Sequence, residues 1–372
     1  MIDRRTFVLS SCASLLAFHQ AGAQIVPLSD EAIRAVLRRR VDADKRATGM
    51  AVGVVERGRR RVILYGSQDA DTGPPVTAST LFEIGSITKV FTALLLTDMV
   101  TRDEIAFDDP VDRHLPFGLR TPQRNGREIT LTDLATHTSG LPLFPPFTGN
   151  PLEALAGYTV SDLRSWLAGL SLSQDPGAQW EYSNVGYGLL GLALENRAQT
   201  TYDALLQRRI LDPLGLGDTI LYPTSEVTAR MATGHDPALA RVPPLELGIF
   251  APAGGLRSTV EDLLSFANAV LPGSHSSLEE PVQLLLTIRR TVPAIDGDQA
   301  LGWEMVGGTA PFLAKDGVTT GQAASIVVDV RQQTGVVVLS NALPVRMKAP
   351  PDGGVGAADL ARHLIRPAMP VG

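Results

Sequence analysis

Ser86 and Lys89 lie three residues apart in Phe82-Glu83-Ile84-Gly85-Ser86-Ile87-Thr88-Lys89-Val90-Phe91, a run that continues apolar through Leu96. On a helix that spacing puts the hydroxyl and the amine on one face, one turn apart. The segment is apolar on nearly every side and reads as a core helix, where an ammonium costs free energy unless it is paired or gives up its proton. The chain has four lysines, at 45, 89, 315 and 348, against 29 arginines. An arginine there would hold its charge but not readily release a proton, whereas a lysine can. A titratable amine one turn from a hydroxyl is the chemistry of an activated serine. At the first turn of its helix, Ser86 also has the positive end of the dipole and free backbone N–H groups beside it, ready for an oxyanion. Ser-x-x-Lys by itself also fits a capping serine and a snorkelling lysine. Of the four lysines, though, Lys89 alone follows a serine at that spacing.

Two further groups have chemical potential. Tyr182-Ser183-Asn184 is the one Tyr-x-Asn among the six tyrosines. A phenol can serve as a base when neighbouring ammonium groups stabilise its phenolate, and Asn184 can both donate to and accept from a substrate amide. A structural tyrosine with a turn asparagine is the plainer reading of the same residues. In Lys315-Asp316-Gly317, a strand would turn Lys315 and Gly317 to one side, with the glycine allowing close backbone approach. An Asp-Gly turn with a solvated lysine is the alternative there.

These groups need elements to position them. A helix is expected from about Ser29 to Arg46, then a hairpin from Met50–Glu56 and Arg61–Tyr65 around Arg57-Gly58. From Gly85 to about Leu271 the pattern is helices broken by Pro/Gly loops, including Ile129–Thr136, Val160–Leu170, Asn184–Asn196 and Thr200–Ile210. Pro142 to Pro151 reads as a stiff loop, and Ser258-Thr259-Val260-Glu261 as a capping box for a helix reaching Val270. Ala324–Val330 and Gly335–Leu339 form a second hairpin, and Ala357–Ile365 closes as a helix. Strands at both ends with helices between imply an α+β body: one antiparallel sheet formed by both chain ends, flanked by helices, with an inserted mainly helical subdomain at about 86–295.

Residues 1–23 read as an export signal, with Arg4-Arg5 before the short apolar stretch Phe7-Val8-Leu9 and Ala21-Gly22-Ala23 as a cleavage site. Arg4-Arg5-Thr6-Phe7 resembles a twin-arginine signal, and an ordinary secretory leader is the alternative. Leu9-Ser10-Ser11-Cys12 also has the form of a lipoprotein box, after a very short apolar run. Residues 24–372 then form the catalytic domain, in a periplasmic or otherwise exported protein. Cys12 is the single cysteine and would leave with the signal, so no disulfide, thiol nucleophile or sulfur metal site is expected. The net charge of −6 and the lack of a basic stripe argue against nucleic acid as a partner. The six histidines include no His-Glu-x-x-His, no further stretch suits a membrane span, and no Gly-x-Ser-x-Gly marks an α/β-hydrolase.

Taken together and in this order, Ser86-x-x-Lys89, Tyr182-x-Asn184 and Lys315-x-Gly317 resemble the serine β-lactamase and penicillin-recognising hydrolase superfamily. The closer resemblance is to its class C β-lactamase-like branch and covers nearly all of residues 24–372. Leu134-Ala135-Thr136-His137-Thr138-Ser139-Gly140-Leu141-Pro142, Ala253-Gly254-Gly255-Leu256-Arg257-Ser258-Thr259 and Leu301-Gly302-Trp303-Glu304-Met305 support it. The resemblance implies a monomeric hydrolase without metal or organic cofactor, acting on a β-lactam or a cell-wall peptide. It implies Ser86 as the acylated nucleophile, Lys89 and Tyr182 as its base system, and Asn184 and Lys315 as substrate-binding residues. Gly317 completes the third motif, and the amides of Ser86 and Val318 would form the oxyanion hole. A D-alanyl-D-alanine peptidase, an esterase and a non-catalytic penicillin-binding module are the other outcomes such a chain allows. Two positions depart from the branch: Asp316 replaces the threonine of Lys-Thr-Gly, and Phe144 stands where a glutamine is usual. An aspartate at 316 would repel a substrate carboxylate or pair with Lys315.

Overall fold

The computed structural model describes residues 29–70, 73–287, 289–292, 297–343 and 356–365. The export-signal reading of residues 1–23, with Cys12, lies outside them. The described strands are β1 Gly49–Glu56, β2 Arg59–Gly66, β3 Phe82–Glu83, β4 Gly234–His235, β5 Arg241–Val242, β6 Arg257–Ser258, β7 Arg290–Val292, β8 Gly297–Gln299, β9 Glu304–Val306, β10 Phe312–Val318, β11 Ala323–Asp329 and β12 Thr334–Ser340.

Eight of them build one antiparallel sheet in the order β2-β1-β12-β11-β10-β9-β8-β7. β1 sits between β2 and β12, with Val52 opposite both Ile63 and Val338, so the two chain ends do share one sheet. β1, β11 and β12 are buried almost throughout because helices cover both faces. On one face Ile33 and Leu37 of helix Asp30–Arg38, and Leu360 and Leu364 of helix Ala357–Ile365, pack with Val52, Val327 and Val338. On the other, Ala51, Ile326 and Val337 join the larger core with helix Val260–Val270. A Cβ on Gly53 would come 2.6 Å from Leu264 Cγ, so only glycine lets that helix lie this close to the sheet.

The helical part is organised around Thr88–Thr101, whose residues from Thr88 to Met99 are all buried. Each fully buried Leu or Phe there contributes about 1.5–3 kcal/mol. Among the described residues, no helix is long and apolar enough to cross a membrane.

Three expectations change in detail. The helix from Tyr202 does not stop at Ile210: a π turn, Gln207–Leu211, carries it through Pro213 to Leu214, and left-handed Gly215 ends it. The wider turn absorbs a proline that has no N–H to donate. The cap of helix Val260–Val270 is Thr259, whose hydroxyl accepts from Asp262 N at 3.2 Å. Ser258 is instead committed to β6, paired with Phe82, its hydroxyl 2.8 Å from that of Thr219. Finally, strand β2 begins at Arg59, two residues before the expected Arg61, and ends at Gly66.

Candidate active site

Ser86 lies in a single 3-10 turn, Gly85–Ile87, and the α-helix begins two residues later at Thr88. The tight turn keeps the expected relation of the pair: Lys89 Nζ donates to Ser86 Oγ at 3.1 Å. Gly85 has φ +49°, a left-handed conformation that costs glycine least, and a Cβ there would meet Val318 N at 2.7 Å. Across from it, a Cβ on Gly317 would overlap Ile84 O and lie 3.0 Å from Ser86 N. Two glycines thus let β10 press against the serine turn, bringing the Ser86 and Val318 backbones together. Lys315 and Gly317 share the face of β10 turned toward the serine, as strand alternation requires.

Lys89 is wholly buried, and its remaining hydrogens go to Asn184 Oδ1 at 2.7 Å and Ala253 O at 2.6 Å. With Ser86 Oγ these acceptors engage all three hydrogens of an ammonium. Burial nonetheless lowers its pKa to about 8, with the nearby Lys315 charge adding to the effect and Tyr182 opposing it. Asn184 is held at the start of helix Asn184–Ala198, which Ser183 caps by accepting from Gly186 N at 2.9 Å.

The Tyr182 hydroxyl is 2.7 Å from Ser86 Oγ. The Lys89 and Lys315 ammonium nitrogens lie 4.8 and 5.2 Å from the centre of its ring. Burial alone would raise the phenol's pKa, but the Lys89 charge first and then the Lys315 charge, with the Ser86 contact adding to them, outweigh it and hold the phenol below 10.0. Lys315 is itself buried and is held above its ordinary value: burial acts to lower it, and Tyr182 and Glu304 prevail. Its ammonium donates to Glu304 Oε1 at 3.0 Å.

Ser86, Lys89, Tyr182, Asn184, Lys315, Gly317 and Val318 therefore converge on one place. The expectation for Asp316 is corrected. It neither pairs with Lys315 nor faces the serine, because alternation turns it to the opposite side of β10. There its carboxylate accepts from Ser325 Oγ at 2.6 Å and from Arg362 Nη2 at 2.7 Å. Phe144 joins an aromatic cluster instead of presenting an amide, its ring centre 5.6 Å from Phe250 and 5.9 Å from Phe147.

Glu304, His137 and the Ala253 carbonyl were not assigned roles from sequence. All three fall within the stretches 134–142, 253–259 and 301–305 that carry the resemblance, and the sequence marks them in no other way. Arranged this way, the groups can deprotonate a serine hydroxyl, stabilise an oxyanion and return a proton to a leaving group.

The comparisons with known proteins agree on kinship. A family model described as Beta-lactamase matches residues 33–358. A beta-lactamase of Pseudomonas fluorescens is 32% identical over 287 residues, 76% of this chain and 75% of that protein. The D-alanyl-D-alanine-carboxypeptidase/endopeptidase AmpH of Escherichia coli (strain K12) is 29% identical over 269 residues, 69% of each chain. The crystal structure of a class C beta lactamase from Rhodobacter sphaeroides matches with a TM-score of 0.71 at 26% identity, covering 83% of this chain and 93% of that one.

Proposed function

The chain belongs to the beta-lactamase family, in its class C-like branch, and from that footing we propose that it hydrolyses β-lactams through an acyl-enzyme at Ser86. The observation that carries this is the double contact on one oxygen: Ser86 Oγ has Tyr182 OH at 2.7 Å and Lys89 Nζ at 3.1 Å. In the reactive form Tyr182 is the phenolate, which accepts the Ser86 proton while Oγ bonds to the lactam carbonyl carbon. The Ser86 and Val318 amides receive the oxyanion. The C–N bond then breaks, and Tyr182 passes its proton to the ring nitrogen. In the second half, water attacks the ester carbonyl, Tyr182 takes a proton from it, and Ser86 Oγ leaves with that proton.

Lys89, Lys315 and Asn184 act by charge and placement. The ammonium groups keep the phenolate available, and the Asn184 amide orients both Lys89 and the substrate. In this reading the protein is exported by a signal over residues 1–23 to the periplasm, works as a monomer and takes small lactams or cell-wall peptides.

Turnover of a chromogenic cephalosporin, with mass spectrometry of the trapped adduct, tests the reading. Turnover together with an acyl group on Ser86 supports it, and an adduct on another residue overturns the site. A second reading, D-alanyl-D-alanine peptidase, is favoured by the likeness to AmpH. A long-lived penicilloyl adduct on Ser86, with release of D-alanine from a peptide, would replace the first reading with the second.

A further inference from the structure

His137 is buried to zero exposure at the turn after the short helix Leu131–Ala135, with φ +60°. It touches three consecutive residues of the segment that bears the phenol. Its carbonyl accepts from Glu181 N at 2.7 Å, and its Nδ1 accepts from Ser183 N at 3.1 Å. Between these two bonds its ring stacks on Tyr182, with centres 4.3 Å apart and planes 29° from parallel. The rings of Tyr187, at 5.2 Å, and Trp180, at 6.0 Å, close the other sides.

The hydrogen-bond pattern fixes the protonation state. Nδ1 receives an amide hydrogen, so its lone pair is in use and the ring proton sits on Nε2. Nε2 is buried and has no partner. A second proton would have to go on Nδ1, against the Ser183 N–H. The groups facing the ring are the phenols of Tyr182 and Tyr187, with the Lys89 and Lys315 ammonium charges close by. Burial first, then those two charges, keeps the imidazole well below its ordinary pKa.

We infer that His137 is a positioning residue for Tyr182: a neutral, Nε2-protonated imidazole that clamps Glu181 to Ser183 and holds the phenol against Ser86. Neutrality is part of the role. An imidazolium stacked on the phenolate would add a third cation and weaken the base, whereas the neutral ring fixes its position without charge. The inference rests on Tyr182 being the base, as proposed above.

His137→Asn isolates the ring. Asparagine tolerates the left-handed backbone, and its Oδ1 occupies the place of Nδ1, so the bond from Ser183 N can persist. Without the stacked ring the phenol can drift from the two lysines. The expected result is a kcat lower by about tenfold to a hundredfold with KM little changed. The acid limb of the pH profile should move to higher pH. Ultraviolet difference titration, with Tyr182→Phe as the blank, should show the phenol returning toward its ordinary pKa. Unchanged kcat and profile in His137→Asn, with Tyr182→Phe inactive, overturn the role of His137 alone. Full activity in Tyr182→Phe overturns the underlying reading instead. Nitrogen NMR of the wild-type enzyme gives a check that needs no variant. It should show the proton on Nε2 and no titration across the active range, and a proton on Nδ1 sinks the inference.

Discussion

A buried lysine that spends three hydrogens on three acceptors is poorly placed to be the base itself. Lys89 donates to Ser86, Asn184 and the Ala253 carbonyl at once, and surrendering a proton would leave one of these unsatisfied. In the proposed reaction Tyr182 is therefore the acceptor of the serine proton, and Lys89 the charge that makes its phenolate accessible. Lys89→Arg keeps a positive charge, but a planar guanidinium cannot reach the same three acceptors from that buried position. Acylation measured in a single turnover should fall by at least about a hundredfold, the scale of a misplaced catalytic group. Near-normal acylation would place the essential contact elsewhere. The same division of labour sets the pH dependence. The rate should rise with pH as Tyr182 loses its proton, below the ordinary phenol value, and turn down above about pH 8 as Lys89 loses its charge. A rate that kept climbing well past that point would show that Lys89 works as the neutral amine. Ser86 and Lys89 were legible in the sequence because a lysine is out of place in an apolar helix. His137 was not, since a histidine beside a threonine in a loop carries no sign of stacking. The Ala253 carbonyl had no side chain to read.

Among the elements, the two-residue strands β3 and β6 have an outsized role because β3 leads directly into the serine turn and β6 is its partner. They pair Glu83 with Arg257. The Arg257 guanidinium, 3% exposed, donates to the carbonyls of Leu221, Gly255 and Leu245 and to Glu246, and lies 3.7 Å from Glu83, itself 4% exposed. One side chain thus ties the segment around 221–247 to the strand that leads into Ser86. Burial already raises the pKa of the Glu83 carboxyl, with Arg257 among the groups opposing that rise. Arg257→Met would leave Glu83 buried without its cation and three carbonyls short of a donor. Urea unfolding should register a loss of about 3–5 kcal/mol, the usual effect of removing one partner of a buried pair. A loss below about 1 kcal/mol, the value of a surface pair, would mean that these segments are held by packing alone. The long hairpin strands were legible because apolar runs and a turn signal mark them. β3, β6 and the three-residue β7, β8 and β9 were not, since two or three residues are too few to display a period of two.

At the scale of the whole molecule, the site exists only once distant parts of the chain have met. β1 pairs with β12 across nearly the full sequence, and Asn341 latches that closure by accepting from Thr48 N at 3.2 Å and Gly49 N at 2.8 Å. The helical region supplies Ser86, Lys89 and Tyr182, while the sheet supplies Lys315 and Gly317. Asp316 belongs to this larger joinery. The ion pair with Arg362, each side chain about one-third exposed at 31% and 33%, ties the last described helix to β10, the strand that flanks the serine. From sequence it stood where a threonine hydroxyl would meet the substrate; in the fold it secures the outer face of the sheet. Asp316→Thr should therefore act mainly on stability, lowering it by about 1 kcal/mol, as expected for a partly exposed pair. KM for an anionic cephalosporin should change less than about threefold, a shift below 1 kcal/mol. Thermal unfolding and steady-state kinetics on the same preparation distinguish the outcomes. If stability is unchanged and KM falls tenfold or more, residue 316 governs substrate binding from the edge of the strand, and its orientation toward Arg362 is incidental to function.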